Sequence, residues 1–131
     1  MINSSDLVAF VGATDLPRAG RFYGDVIGLT LVEENPFACV FDAHGTALRV
    51  TAVERVAEAP YTVLGWEVAD IVPVMADLSD RGVEFERFGG MDQDALGVWV
   101  TPGGDRVAWF KDPDGNTLSI TQRVASEQPR A

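Results

Sequence analysis

The feature that most constrains this chain is a hairpin that it contains twice. Residues 107–121 read Val-Ala-Trp-Phe-Lys-Asp-Pro-Asp-Gly-Asn-Thr-Leu-Ser-Ile-Thr, two strand-like runs joined by a Pro-Asp-Gly turn. Pro113 presets φ for the first turn position, Asp114 accepts the bridge region, and Gly115 supplies the positive φ of a type I turn with a bulge. Residues 37–51, Phe-Ala-Cys-Val-Phe-Asp-Ala-His-Gly-Thr-Ala-Leu-Arg-Val-Thr, echo it, and Gly115 follows Gly45 by 70 positions (115 − 45). The same offset matches Ala38 with Ala108, Asp42 with Asp112, Leu48 with Leu118 and Thr51 with Thr121. Upstream of each copy an apolar strand runs into an acidic helix cap, with Asp15 and Asp70 standing 55 positions apart (70 − 15). The repeating unit is therefore strand, helix, then three strands, and it occurs twice.

Taken in order, residues 7–13 read as a buried first strand. Thr14 or Asp15 then caps a helix whose apolar positions Leu16, Ala19, Phe22, Tyr23 and Val26 recur at helical spacing, and Gly28 closes it. Residues 29–33 form strand two, Asn35-Pro36 turns, and the first hairpin supplies strands three and four. Residues 54–60 mix charge, alanine and proline without periodicity and read as a linker. Residues 61–68 are strand five, and Asp70 caps a second helix that carries Ile71, Val74, Met75 and Leu78 on one face and ends at Arg81-Gly82. Residues 83–87 are expected as strand six. Residues 88–97, with Gly89-Gly90 and no period, form a long loop of the kind that frames sites. Residues 98–100 are an extra extended piece before strand seven. Module one spans about residues 6–53, module two about 61–122, and a polar tail 123–131. At 131 residues the two halves are expected to pack as a single domain, since each alone is too small to bury a strong core.

Charge removes several function classes. Twenty acidic against ten basic residues give a formal net charge of −10, which opposes attraction to a phosphate backbone, so nucleic acid is not an expected partner. No apolar run approaches the roughly 20 residues of a membrane span, and membrane is not an expected partner either. Residues 1–6 lack the basic region and apolar core of a signal peptide. The one cysteine, Cys39, excludes an internal disulfide, and a reducing cytoplasm is the expected location.

These residues, in this order, resemble the vicinal oxygen chelate proteins, the superfamily of glyoxalase I, extradiol dioxygenases and bleomycin-resistance proteins. The resemblance covers roughly residues 6–122. It is carried by Asp15-Leu16, Phe22-Tyr23 and Gly28-Leu29 in the first module, and by Glu67-Val68, Gly82-Val83, Phe110 and Asp112-Pro113-Asp114-Gly115-Asn116 in the second. It implies an α+β fold of two tandem βαβββ modules whose curved sheets enclose a cleft, commonly in a homodimer. Enzymes of the superfamily hold a divalent metal there, on positions that fall at Val8, Arg49, Val63 and Ser119. Valine has no donor atom, arginine brings permanent positive charge, and one serine hydroxyl does not hold a transition metal. The only histidine, His44, is matched by the repeat to Asp114 at a hairpin tip and is expected to face solvent. No metal or other cofactor is therefore expected.

Strand alternation assigns the cleft lining. If Val8 and Val63 face inward, so do Phe10, Gly12, Tyr61, Gly65 and Glu67. A bulged hairpin sets Trp109 opposite Ser119, and the repeat then places Cys39 and Phe41 beside Arg49. The expected ligand-binding residues are thus Phe10, Cys39, Phe41, Arg49, Tyr61, Glu67, Trp109 and Ser119. Trp109 and Phe41 are read equally well as core filling, and Arg49 as half of an ion pair. Cys39 has no second histidine to activate it and reads as a buried structural residue. No Ser-His-Asp set and no phosphate-cradling glycine motif is present, and no catalytic residue is assigned. The reading this favours is a metal-free protein that binds an aromatic or oxygen-rich small molecule, resistance by sequestration being one form of it. The alternative is a lyase, isomerase or dioxygenase-like enzyme, either metal-free with Arg49 stabilising an oxyanion and Glu67 as base, or using an unconventional metal set.

Overall fold

Each half of the chain builds its own four-stranded sheet. The computed structural model describes residues 1–124; residues 125–131 of the expected polar tail lie outside the described residues. A 3₁₀ turn at Ile2–Ser4 precedes β1 (Val8–Ala13) and α1 (Leu16–Arg21), followed by β2 (Thr30–Asn35), β3 (Ala38–Ala43) and β4 (Thr46–Ala52). The second half runs β5 (Leu64–Glu67), α2 (Ile71–Asp80), β6 (Trp99–Val100), β7 (Arg106–Lys111) and β8 (Thr117–Gln122). The sheet orders are β1-β4-β3-β2 and β5-β8-β7-β6, with the first and last strands of each repeat parallel and the rest antiparallel. This is the α+β arrangement of two βαβββ repeats that the sequence predicts. By their contacts the residues form two units. The first is Met1–Pro60 with Asp112–Asn116, and the second is Tyr61–Lys111 with the described residues from Thr117 onward.

In the first unit Asp15 is the helix cap, its carboxylate accepting from the Arg18 amide at 3.0 Å, while Pro17 occupies the first turn where its missing N–H costs nothing. The helix then widens into a π-helical turn at Phe22–Val26, with the Ile27 amide donating to the Phe22 carbonyl at 2.9 Å. Tyr23 on that turn is fully buried, edge-on to Phe22 and 6.2 Å from Phe41. Around it lie Val11, Ala13, Ala19, Cys39, Phe41, Leu48 and Val50, the core of this unit. The β2 strand is a sheet edge whose register shifts between Leu31 and Glu33. A bulge followed by Glu33-Glu34 discourages pairing with a foreign strand.

The tip of the second hairpin belongs to this first unit and is held by polar contacts. Asp112 accepts from Tyr23 Oη at 2.7 Å, from Asn116 Nδ2 at 2.8 Å, and from the amides of Asp114 and Asn116 at 2.9 Å each. Asn116 also donates to the Gly12 carbonyl at 3.0 Å. Asp114 accepts from the Thr14 amide and hydroxyl and pairs with Arg18 at 3.1 Å. The Pro-Asp-Gly stretch is thus both a turn and the anchor of that turn.

In the second unit Ile71, Met75 and Leu78 of α2 are buried, as are Ala108, Phe110, Leu118 and Ile120 of β7 and β8. Asp70 stands at the cap position but makes no side-chain bond; Gln122 Oε1 accepts from the Ile71 amide instead, at 2.9 Å. The expected strand over residues 83–87 does not form. That segment touches β7 through one Phe85–Phe110 bridge and a Glu86 amide bond to the Trp109 carbonyl, and the paired strand β6 lies at the piece read as extra. The two segments share the edge of β7: β6 pairs with Arg106 and Val107, and residues 83–87 reach only Trp109 and Phe110, too short a stretch for a ladder of their own.

Candidate small-molecule binding faces

Cross-strand register decides which residues share a face. In the first sheet Phe10 pairs with Arg49 and Arg49 with Val40, while Gly12 and Ala38 pair with Thr51. The core face alternates with these, carrying Val11, Val50 and Cys39 in one row and Ala9, Leu48 and Phe41 in the next. The expectation that Cys39 and Phe41 stand beside Arg49 is therefore overturned. The reason is the turn. In the first hairpin Ala43 pairs with Thr46, leaving only His44-Gly45, both at positive φ (51° and 92°). In the second, Lys111 pairs with Thr117 around five residues, with Gly115 alone at positive φ (84°). Carrying the bulged register from the second hairpin back to the first slips the strand by one residue, and a one-residue slip exchanges the faces. Burial, then the nearby Glu34, push the Cys39 thiol up, as suits an inert buried sulfur.

What remains on the open face of the first sheet is apolar with an unmatched charge. Phe10 is 62% exposed and Val8 is also exposed, while Arg49 is half-buried between Phe10 and Val40. Among the described residues Arg49 makes no ion pair and no side-chain hydrogen bond. Nearby on the same face the Thr51 hydroxyl oxygen is enclosed with no hydrogen-bond partner. A guanidinium with five donors and an orphaned hydroxyl on an apolar face that exposes Phe10 can orient an oxygen-bearing molecule.

The open face of the second sheet carries the row Trp109, Ser119, Gly65, set by direct cross-strand pairing. Glu67 follows Gly65 on this face, opposite Thr121, and its carboxylate lies 3.9 Å from Arg123 Nε. Lys111 donates to the Thr117 hydroxyl at 2.9 Å. Tyr61 is exposed and lies before β5, outside the strand whose alternation was used to orient it. Three residues that alternation did not single out surround Trp109: Phe88 edge-on at 5.5 Å, Trp99 tilted at 6.2 Å, and Thr62, whose hydroxyl accepts from the indole N–H at 3.1 Å. The aromatic residues flanking the glycine-rich loop were the only sequence sign of them.

The four positions at which metal enzymes of this architecture carry ligands fail on their chemistry. Val8 and Arg49 lie on β1 and β4, Ser119 on β8, and Val63 just before β5, its amide donating to the Thr117 carbonyl. Two alkyl groups, a permanent cation and a hydroxyl do not form a divalent-metal donor set. Among the described residues no three His, Cys, Asp or Glu side chains gather as a ligand group. His44 is exposed at its turn.

The profile of the Glyoxalase/Bleomycin resistance protein/Dioxygenase superfamily matches residues 6–120. The chain belongs to this superfamily. Its fold is shared by lactoylglutathione lyase from Agrobacterium tumefaciens, at 18% identity and a TM-score of 0.70 over 91% of this chain and 93% of that one. It is shared too by a glyoxalase/bleomycin resistance protein/dioxygenase from Alicyclobacillus acidocaldarius, at 20% identity and a TM-score of 0.69 over 93% of each chain. TnmS3, an antibiotic binding protein from Streptomyces sp. CB03234, is 25% identical with a TM-score of 0.71, over 95% of this chain and 99% of that one. No curated protein sequence matches the chain. Membership of this superfamily establishes the scaffold, and on such scaffolds the chemistry follows the residues at the site.

Proposed function

We propose that this superfamily member is a metal-free small-molecule binding protein that holds an aromatic or oxygen-rich organic ligand without changing it chemically. The observation that carries the reading is Arg49, a half-buried guanidinium between Phe10 and Val40 with no partner among the described residues. A half-buried guanidinium without a protein partner keeps its N–H donors available to a ligand. A carboxylate or other oxygen-bearing ligand takes them up by charge-assisted hydrogen bonds, with Phe10 beside it as an apolar contact. Trp109 and Ser119 offer an aromatic surface and a hydroxyl on the second sheet. The likeness to an antibiotic binding protein supports the same reading, and sequestration of a toxic compound is the form it suggests. Pairing of two copies is part of the proposal, supported by Leu7, Val32 and Phe37, large apolar side chains exposed on the first unit.

The test is a calorimetric titration with 2-naphthoate as an anionic aromatic probe and 2-naphthol as its neutral counterpart. Arg49→Met is expected to weaken 2-naphthoate by about 1.5–3 kcal/mol while moving 2-naphthol by less than about 0.5 kcal/mol. Equal weakening of both, or none of either, overturns the role of Arg49. Turnover of a bound aromatic compound overturns the binding-only reading.

A further inference from the structure

Trp109 is restrained on three sides. Phe88 meets its ring at 85° and Trp99 at 33°, and its indole N–H is bonded to Thr62. The Phe88 side of this restraint is set by one side chain in the loop that precedes β6. Gln93 Nε2 donates to the Glu86 carbonyl at 3.0 Å and the Gly97 carbonyl at 2.8 Å, and its Oε1 accepts from the Phe88 amide at 2.8 Å. A single amide thus ties both ends of the loop and sets Phe88. Asp94 reinforces it, its Oδ1 accepting from the amides of Leu96, Gly97 and Val98, and those amides hold its carboxyl below the ordinary carboxylate range. Long irregular loops are uncommon in compact folds unless they serve a site. One bond of this loop fixes Phe88, whose ring meets Trp109, and another closes the loop at Gly97, two residues before Trp99.

Beside Trp109 stands Ser119, its cross-strand partner, and beside Ser119 stands Gly65. A Cβ at position 65 would lie 3.0 Å from Ser119 Oγ. Ser119 is only 6% exposed, and the Thr62 methyl lies 3.6 Å from that same point, so glycine at position 65 is what keeps a β5 side chain from covering the hydroxyl beside the indole.

We infer that Trp109, Ser119 and Gly65, walled by Phe88 and Trp99, form a subsite for a flat fused ring bearing an oxygen substituent, with Gln93 as its positioning residue. This rests on the small-molecule reading and names the shape and chemistry that the second sheet selects. A flat ring meets Trp109 over its whole face, whereas a saturated ring of the same outline stands away from it and loses contact. The ring's oxygen meets the Ser119 hydroxyl beside Gly65. Because the aromatic groups are restrained before the ligand arrives, little side-chain freedom is lost on binding.

The experiment uses the whole protein and a matched pair of probes, planar 2-naphthol and saturated 2-decalol, titrated by calorimetry. The wild type is expected to prefer 2-naphthol by about tenfold or more. Gln93→Leu, which removes all three bonds of the strap, is expected to shrink that preference to about threefold or less. Phe88→Ala removes the wall while leaving the strap intact, and is expected to do the same even if Gln93→Leu fails to fold. Gly65→Val is expected to weaken 2-naphthol by about fivefold by covering Ser119. If wild type binds 2-naphthoate through Arg49 yet does not discriminate the two alcohols, the subsite is wrong and the binding function stands. The subsite is equally overturned if the preference survives both Phe88→Ala and Gln93→Leu. If none of the three probes binds, the binding function itself is overturned.

Discussion

Tyr23 and Asp112 are joined by a 2.7 Å hydrogen bond that is buried at both ends. One residue comes from the π-helical turn after α1, the other from the end of the second hairpin, 89 positions later in the chain. Tyr23→Phe keeps the ring and removes the donor, so it is expected to destabilise the fold by about 1–3 kcal/mol. Asp112→Ala is expected to cost more, because it also strands the Asn116 amide and two backbone N–H groups. Urea unfolding of both variants gives the comparison, and a Tyr23→Phe loss below about 0.5 kcal/mol contradicts it.

The same bond predicts an alkaline limit. Burial first, then the neighbouring Asp112 carboxylate, push the Tyr23 phenol far above its ordinary value. The folded chain therefore keeps a proton that the unfolded chain releases above about pH 10. The contribution of this group is complete below that pH and is lost as pH rises beyond it, at up to about 1.4 kcal/mol per pH unit. Stability measured from pH 9 upward is expected to fall more steeply in the wild type than in Tyr23→Phe. Parallel curves refute the assignment.

Phe41 and Phe10 are expected to behave oppositely. Phe41 is buried in the core, so Phe41→Ala is expected to cost about 3–5 kcal/mol of stability. Phe10 is open to solvent on the face of Arg49, and Phe10→Ala is expected to change stability by less than about 0.5 kcal/mol while weakening 2-naphthoate. Denaturation and titration of the same two variants check the pair.

At the first hairpin His44 holds φ at 51° without being glycine. A two-residue turn with both positions at positive φ prefers Asn-Gly. His44→Asn is expected to raise stability by about 0.5–1 kcal/mol, read as a higher thermal midpoint. A loss of stability would mean that the imidazole makes a contact of its own.

Elemental analysis after exhaustive dialysis is expected to find less than a stoichiometric amount of zinc, nickel, iron or manganese, because Val8, Arg49, Val63 and Ser119 do not make a donor set. A full equivalent of any of these metals, lost on replacing Ser119 with alanine, would contradict that.

The sequence by itself determined the repeat and its elements, because those depend on short-range chemistry. Offsets between like residues located two strand-helix-strand units, and period-2 alternation separated Phe10 from Val11 and Trp109 from Ala108. Thr14-Asp15 announced a helix start, and the structure puts the cap on Asp15. The pairing of Trp109 with Ser119 was legible for the same reason, since Pro-Asp-Gly dictates its own turn length. What tertiary structure decided were the long-range matters. His44-Gly45 resembles the second turn in composition but closes in two residues, and that difference in φ sent Cys39 and Phe41 to the core rather than to Arg49. Residues 83–87 have strand composition, yet they share the edge of β7 with β6 and meet it at a single bridge. Gln93 strapping its loop and Gln122 capping a helix 51 positions away depend on where side-chain amides meet backbone groups in space, and no periodicity encodes that. A strand's face is local, but its register is set by the turn and its neighbours by which backbone partners come within reach, which only the folded chain resolves.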